Sequence, residues 1–188
     1  MRGLLLLLAL LVPLPAAASA IQRGANEVVA SGSLNHTEYS ERNWSATSVH
    51  LSAGFLRAVT DAAQVGGALL LRHESFDTGP GSDLRGGSAG IEALARLNFG
   101  DSPRIVPFAQ AGIGVTMWVG DFERDTETWL LPELTLGVRF LVHDLASFNL
   151  GLSWLHEFNA LSRRDLEANS IVLGFGFSIF PQGLDGRR

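Results

Sequence analysis

Polar and apolar residues alternate along most of this chain, and the alternation falls into eight stretches separated by polar turns. The clearest is the last, residues 169–180. Ile171, Leu173, Phe175, Phe177 and Ile179 share one face, and Val172, Gly174, Gly176 and Ser178 share the other. Successive side chains of a strand point to opposite sides, so this is a ribbon with one greasy face and one nearly bare face. The same reading gives strands over residues 27–35, 44–56, 64–72, 88–99, 105–118, 129–141 and 147–158. In residues 88–99, for example, Ala89, Ile91, Ala93, Ala95, Leu97 and Phe99 oppose Gly90, Glu92, Arg96 and Asn98. Pro132 is expected near the end of its strand, because proline cannot donate to a ladder.

The connections carry a second pattern. The links at 37–43, 73–87, 119–128 and 159–168 are long, and those at 57–63, 100–104 and 142–146 are short. Long loops alternating with short turns are the asymmetry of a membrane barrel with one end outside and one in the periplasm. Aromatic residues gather at both ends of the strands. Trp44, Trp118, Trp129 and Trp154 lie towards the long links, and Phe55, Phe99, Phe140 and Phe148 towards the short ones, as in two interfacial girdles. The predicted fold is all-β, an eight-stranded antiparallel up-and-down transmembrane barrel. A soluble secreted ligand-binding barrel also has eight strands, but its outward face must be charged. Here the second face is mostly Gly, Ser, Ala and Asn, which suits a narrow interior.

Composition narrows the reading further. Arg2, the apolar run 4–12 and Ala18-Ser19-Ala20 form the layout of a secretory signal peptide, too short to span a membrane. The expected organisation is a signal peptide over 1–20, a barrel over 21–180 and a short polar tail over 181–188. The chain has no lysine, and past Ala20 it carries 13 arginines against 19 acids, which disfavours nucleic acid as a partner. The absence of cysteine excludes disulfides, thiolate metal sites and a lipoprotein anchor. No metal-ligand spacing, phosphate loop or catalytic triad is present, so no cofactor and no metal are expected.

Several segments resemble the small single-domain bacterial outer-membrane β-barrels of the OmpA and OmpX type. They are Leu51-Ser-Ala-Gly-Phe-Leu-Arg-Ala-Val-Thr-Asp with Gln64-Val-Gly-Gly-Ala-Leu, then Pro107-Phe-Ala-Gln-Ala-Gly-Ile-Gly-Val, Leu136-Gly-Val-Arg-Phe-Leu and Ile171-Val-Leu-Gly-Phe-Gly-Phe. The resemblance implies an outer-membrane location, a monomer, both termini in the periplasm, and contact with membrane lipid and lipopolysaccharide. It also implies that the closing strand, with Phe175, Phe177 and Phe180, is the signal read by the barrel-assembly machinery. The chain departs from the family's pattern in continuing past Phe180 as Pro-Gln-Gly-Leu-Asp-Gly-Arg-Arg.

Three groups could carry function. Arg72, Glu92, Arg96, Glu133, Arg139 and Glu157 all fall on the inward parity, where burial requires cross-strand pairing. They form either a structural plug or a polar gate, and eight strands leave little room for a channel. His156-Glu157-Phe158-Asn159-Ala160 more weakly resembles the His-x-Ser-Asn-Ala motif of the outer-membrane lipid A deacylases. Phe158 stands where the resemblance places the nucleophilic serine, and Glu167 stands where an acid partner could lie. A histidine with no hydroxyl to activate implies no catalysis. The four long links hold eleven acids and five arginines, the composition of solvated loops or of a surface-binding site. The sequence therefore points to a non-enzymatic integral outer-membrane protein serving envelope structure or surface-loop interaction. The alternatives are a lipid A deacylase-like barrel, inactive with Phe158 at the serine position, and a soluble secreted ligand-binding barrel.

Overall fold

The computed structural model describes residues 20–39, 44–77, 83–100, 102–120, 127–159 and 167–185. Eight strands follow one another as β1 (Asn26–Tyr39), β2 (Trp44–Ala58), β3 (Ala63–Asp77), β4 (Asp83–Asn98), β5 (Ile105–Gly120), β6 (Glu127–His143), β7 (Ala146–Asn159) and β8 (Glu167–Ile179). Each pairs antiparallel with the next, and β1 pairs with β8 to close the barrel. Closure removes the sheet edges, so every strand finds partners on both sides, as a lipid environment demands.

Side-chain parity sorts the two surfaces as expected. Leu34, Leu69, Leu136 and Ile171 lie on the outside, each more than three-fifths exposed, with many other outward-facing large hydrophobics. An apolar surface of that extent is stable only against lipid. A soluble barrel turned the other way is thereby excluded. The inside holds Glu27, Gln64, Arg96, Asn98, Arg139, Asn149 and Ser178, all buried. The rim at the short-turn end carries Phe55, Phe140 and Phe148 facing outward. Phe148 pairs by register with both Phe140 and Phe177, which continues that girdle across three strands.

Two expectations are corrected. The strands run further towards the long links than the alternation suggested: β1 reaches Tyr39, β3 reaches Asp77 and β4 begins at Asp83. The sequence of these outer ends is mostly polar, with only isolated apolar residues such as Phe76 and Leu84, so it leaves no sustained period-2 hydrophobic signal. What remains of the long links (40–43, 78–82, 121–126 and 160–166) lies outside the described residues, as does 1–19 of the expected signal segment. Pro132 sits well inside β6, not near its end. It keeps its pairing with Ile113 of β5, while the β6–β7 ladder skips from Leu130↔Phe158 to Glu133↔Leu155. The missing N–H thus costs contacts on one side only.

The mouth at the short-turn end is closed. Ile21, Ala25, Ala58, Val106, Leu141 and Phe180 form one apolar cluster, with Ala20 and Leu184 packed against it. The segments before β1 and after β8 cross the mouth together. The amide of Gln22 donates to Leu184 O at 2.8 Å, that of Gly24 to Ala58 O at 2.8 Å and that of Phe180 to Leu145 O at 2.8 Å. Phe180 lies just beyond β8 and shares the inward parity of Ser178, so its ring enters the plug instead of the lipid. Leu184 makes the start of the expected polar tail part of that closure.

Candidate functional site in the barrel lumen

Above the plug, one carboxylate organises the interior. Glu27 is fully buried at the start of β1. Its Oε1 accepts from Arg139 Nη2 at 2.7 Å, Arg96 Nη1 at 3.0 Å and Ser178 Oγ at 2.6 Å. Its Oε2 accepts from Gln64 Nε2 at 2.8 Å and again from Arg139 Nη2 at 2.9 Å. The partners are held in turn. Arg96 donates from Nε and Nη2 to Gln110 Oε1 at 2.9 and 2.7 Å, and Arg139 Nε donates to Asn149 Oδ1 at 3.1 Å. Asn149 Nδ2 donates to Ser178 Oγ at 2.7 Å, and Asn98 Nδ2 to Gln64 Oε1 at 2.9 Å. Among the described residues seven of the eight strands contribute, and β2 is the exception. Below, Arg139 stacks 5.4 Å from the Phe180 ring centre, and Arg96 lies 4.8 Å from that of Phe108. Charge and aromatic plug are therefore one assembly, in which low dielectric strengthens each bond and makes each loss costly.

A second cluster lies towards the outer end. Arg72 bridges Glu74 on its own strand and Glu157 on β7. His50 of β2 stands opposite Arg72 in register and faces the same interior. Between the two clusters, Glu133 accepts from Thr135 Oγ1 at 2.5 Å and Ser153 Oγ at 2.9 Å. Glu92, on β4, is buried beside them. A cavity of about 140 Å³ joins these groups.

All six charges placed inside by parity face the lumen, but they do not make one network. Arg96 and Arg139 pair with Glu27, Arg72 pairs with Glu74 and Glu157, and Glu92 and Glu133 pair with no arginine among the described residues. The sequence reading missed Glu27 and Glu74. Glu27 has the parity of Ser31 and Ser33, so its inward position was readable. Glu74 lies in the part of β3 that was expected to be a loop.

His156 faces the outside. Its ring stacks on Trp154 at 5.9 Å and meets Phe158 at 5.5 Å, and its Nδ1 pairs with Asn169 Oδ1 at 3.0 Å. Phe158 holds the place of the motif's serine, and Glu167 is its register partner on β8. The histidine is thus built into an aromatic row, with an amide as its polar neighbour.

A closed strand barrel that is apolar outside, charged within and plugged at one mouth defines an integral β-barrel membrane protein. The family described as outer membrane protein beta-barrel domain matches residues 4–178, and the chain belongs to it. It is a protein of the bacterial outer membrane. Among solved structures it is similar to Neisserial surface protein A, at 16% identity over 84% of this chain and 97% of that one, with a TM-score of 0.55. It is also similar to Pseudomonas aeruginosa OprG, at 10% identity over 86% and 99% with a TM-score of 0.49. The N-terminal barrel domain of Pseudomonas aeruginosa OprF matches at 14% identity over 84% and 97%, with a TM-score of 0.48. No curated protein matches the chain.

Proposed function

We propose that this protein is a non-conducting, non-enzymatic barrel that serves envelope structure and presents its outer loops for surface interaction. The observation that supports this is the closed mouth at the short-turn end, which this reading puts in the periplasm. The Glu27 assembly and the apolar cluster under it leave no polar route from the lumen into the periplasm among the described residues. In this reading residues 1–20 are removed on export, and Phe175, Phe177 and Phe180 address the closing strand to the barrel-assembly machinery. Phe175 and Phe177 are exposed on the lipid face, where a signal on β8 can be read, whereas Phe180 becomes buried once the barrel closes. The mature protein works as a monomer in contact with membrane lipid and lipopolysaccharide. Phe158 beside His156 supports the non-enzymatic side of the reading, since a histidine base needs a hydroxyl or thiol to activate.

Two measurements test it. In planar bilayers the purified protein is expected to give no stepwise conductance, and steady ion-conducting steps would refute the closed lumen. Mass spectrometry of lipid A from cells with and without the protein is expected to show one acyl pattern. Loss of an acyl chain in the expressing cells would make it a deacylase.

A further inference from the structure

Eight charged side chains face the lumen among the described residues, three arginines and five glutamates. Glu27 is matched by Arg96 and Arg139, while Glu74 and Glu157 share Arg72. The imbalance rests on Glu92 and Glu133. Both line the central cavity, between the arginines of the two clusters.

The backbone brings these two carboxylates together. Gly112 on β5 stands directly opposite Glu133 on β6. The Glu92 side chain reaches across from β4 and occupies the space above that glycine, so a Cβ there would fall 2.0 Å from Glu92 Oε1. Neighbouring strands are about 4.8 Å apart, which puts the Glu92 carboxylate one strand from Glu133. Glu133 receives two hydroxyl donors. Glu92 is only 8% exposed, and no donor reaches its carboxylate among the described residues. A buried carboxylate with no donor, held beside another, lacks a positive partner.

We infer that the Glu92–Glu133 pair binds a hydrated divalent cation in the lumenal cavity. The oxygen ligands on offer are the two carboxylates and the hydroxyls of Thr116, Thr135 and Ser153, in a cavity that His50, Arg72, Arg96, Gln110 and Asn149 also line. Oxygen ligands select a hard ion of the Mg²⁺ or Ca²⁺ class. Two carboxylates are few for a fully dehydrated ion, and Mg²⁺ in particular keeps several waters. The cavity of about 140 Å³ accommodates them, since each water occupies about 30 Å³. With the mouth at the short-turn end plugged, the ion enters from the loop end.

Mn²⁺ binding to the full protein, folded in detergent micelles free of lipopolysaccharide, tests this by electron paramagnetic resonance. One ion per barrel is expected, displaced by Mg²⁺ or Ca²⁺. Glu92→Gln and Glu133→Gln should each weaken it at least ten-fold, and any ions held by the acidic loops would persist in both. Gly112→Ala leaves both charges in place but drives the Glu92 carboxylate aside, so it should weaken binding too, and it serves if either Gln variant fails to fold. Equal Mn²⁺ binding by the wild type and the folded variants would place the ions on the loops and overturn the inference. No bound Mn²⁺ in the wild type would overturn it as well, leaving a proton shared between the carboxyls.

Discussion

Replacing Glu27 is the most revealing perturbation of this barrel. In Glu27→Ala two guanidinium groups lose their counter-charge while remaining inside, Arg139 with no exposure and Arg96 with 5%. Breaking a buried ion pair by removing one partner costs about 3–5 kcal/mol, because the other charge stays uncompensated. Ser178 Oγ and Gln64 Nε2 lose an acceptor at the same time, and a buried donor left unmade costs about 1–3 kcal/mol. These terms share atoms and do not add, so a loss of at least about 3 kcal/mol is expected. Urea unfolding from lipid vesicles, followed by tryptophan fluorescence, measures it. With a slope of about 2 kcal/mol per molar urea, the midpoint should fall by about 1.5 M or more. Glu27→Gln keeps an acceptor of the same shape and should also fall, which separates charge from hydrogen bonding. A midpoint within about 0.25 M of wild type for both variants, at that slope, would refute the view that Glu27 carries the closure. A triple variant, Glu27→Leu with Arg96→Met and Arg139→Leu, should recover much of the loss, since a buried ionic group exchanged whole for apolar residues is often neutral.

Other consequences are simpler to state. Gly66→Ala should abolish the heat-modifiable folded band on unboiled gels, because its Cβ would lie 1.9 Å from the carbonyl oxygen of Phe55, a backbone atom that cannot turn away. Leu136→Arg places a charge on the lipid face at a residue 70% exposed, and should lower unfolding free energy by about 2–4 kcal/mol if it lies near the bilayer midplane. Phe180→Ala removes a fully buried ring from the plug and the partner of Arg139, and should cost about 3–5 kcal/mol in the same urea assay. Phe158→Ser restores the motif's hydroxyl, but His156 is held by Asn169 and Trp154, so lipid A acyl patterns should stay unchanged.

The sequence by itself determined the strand count, the strand order and the two faces of the wall. Each of those is set by local alternation and link length, and lipid outside with a narrow lumen inside enforces one parity throughout. It also placed all six of the named charges inward. Which charge meets which was decided by the tertiary structure. Glu27 and Arg139 are 112 residues apart and meet only because closure sets β1 and β6 across one lumen. The strand ends and Glu74 escaped notice because strands that rise past the lipid lose their hydrophobic period, and Pro132 was expected at a strand end although a proline is tolerated inside a strand where one neighbour's ladder alone is interrupted. Likewise the mouth is shut by Ile21, Phe180 and Leu184, which lie on segments outside every strand and acquire a common neighbour only when the first and last strands pair. Alternation is a property of neighbours in the chain, whereas a lumen is made of residues that the chain brings together once, at closure.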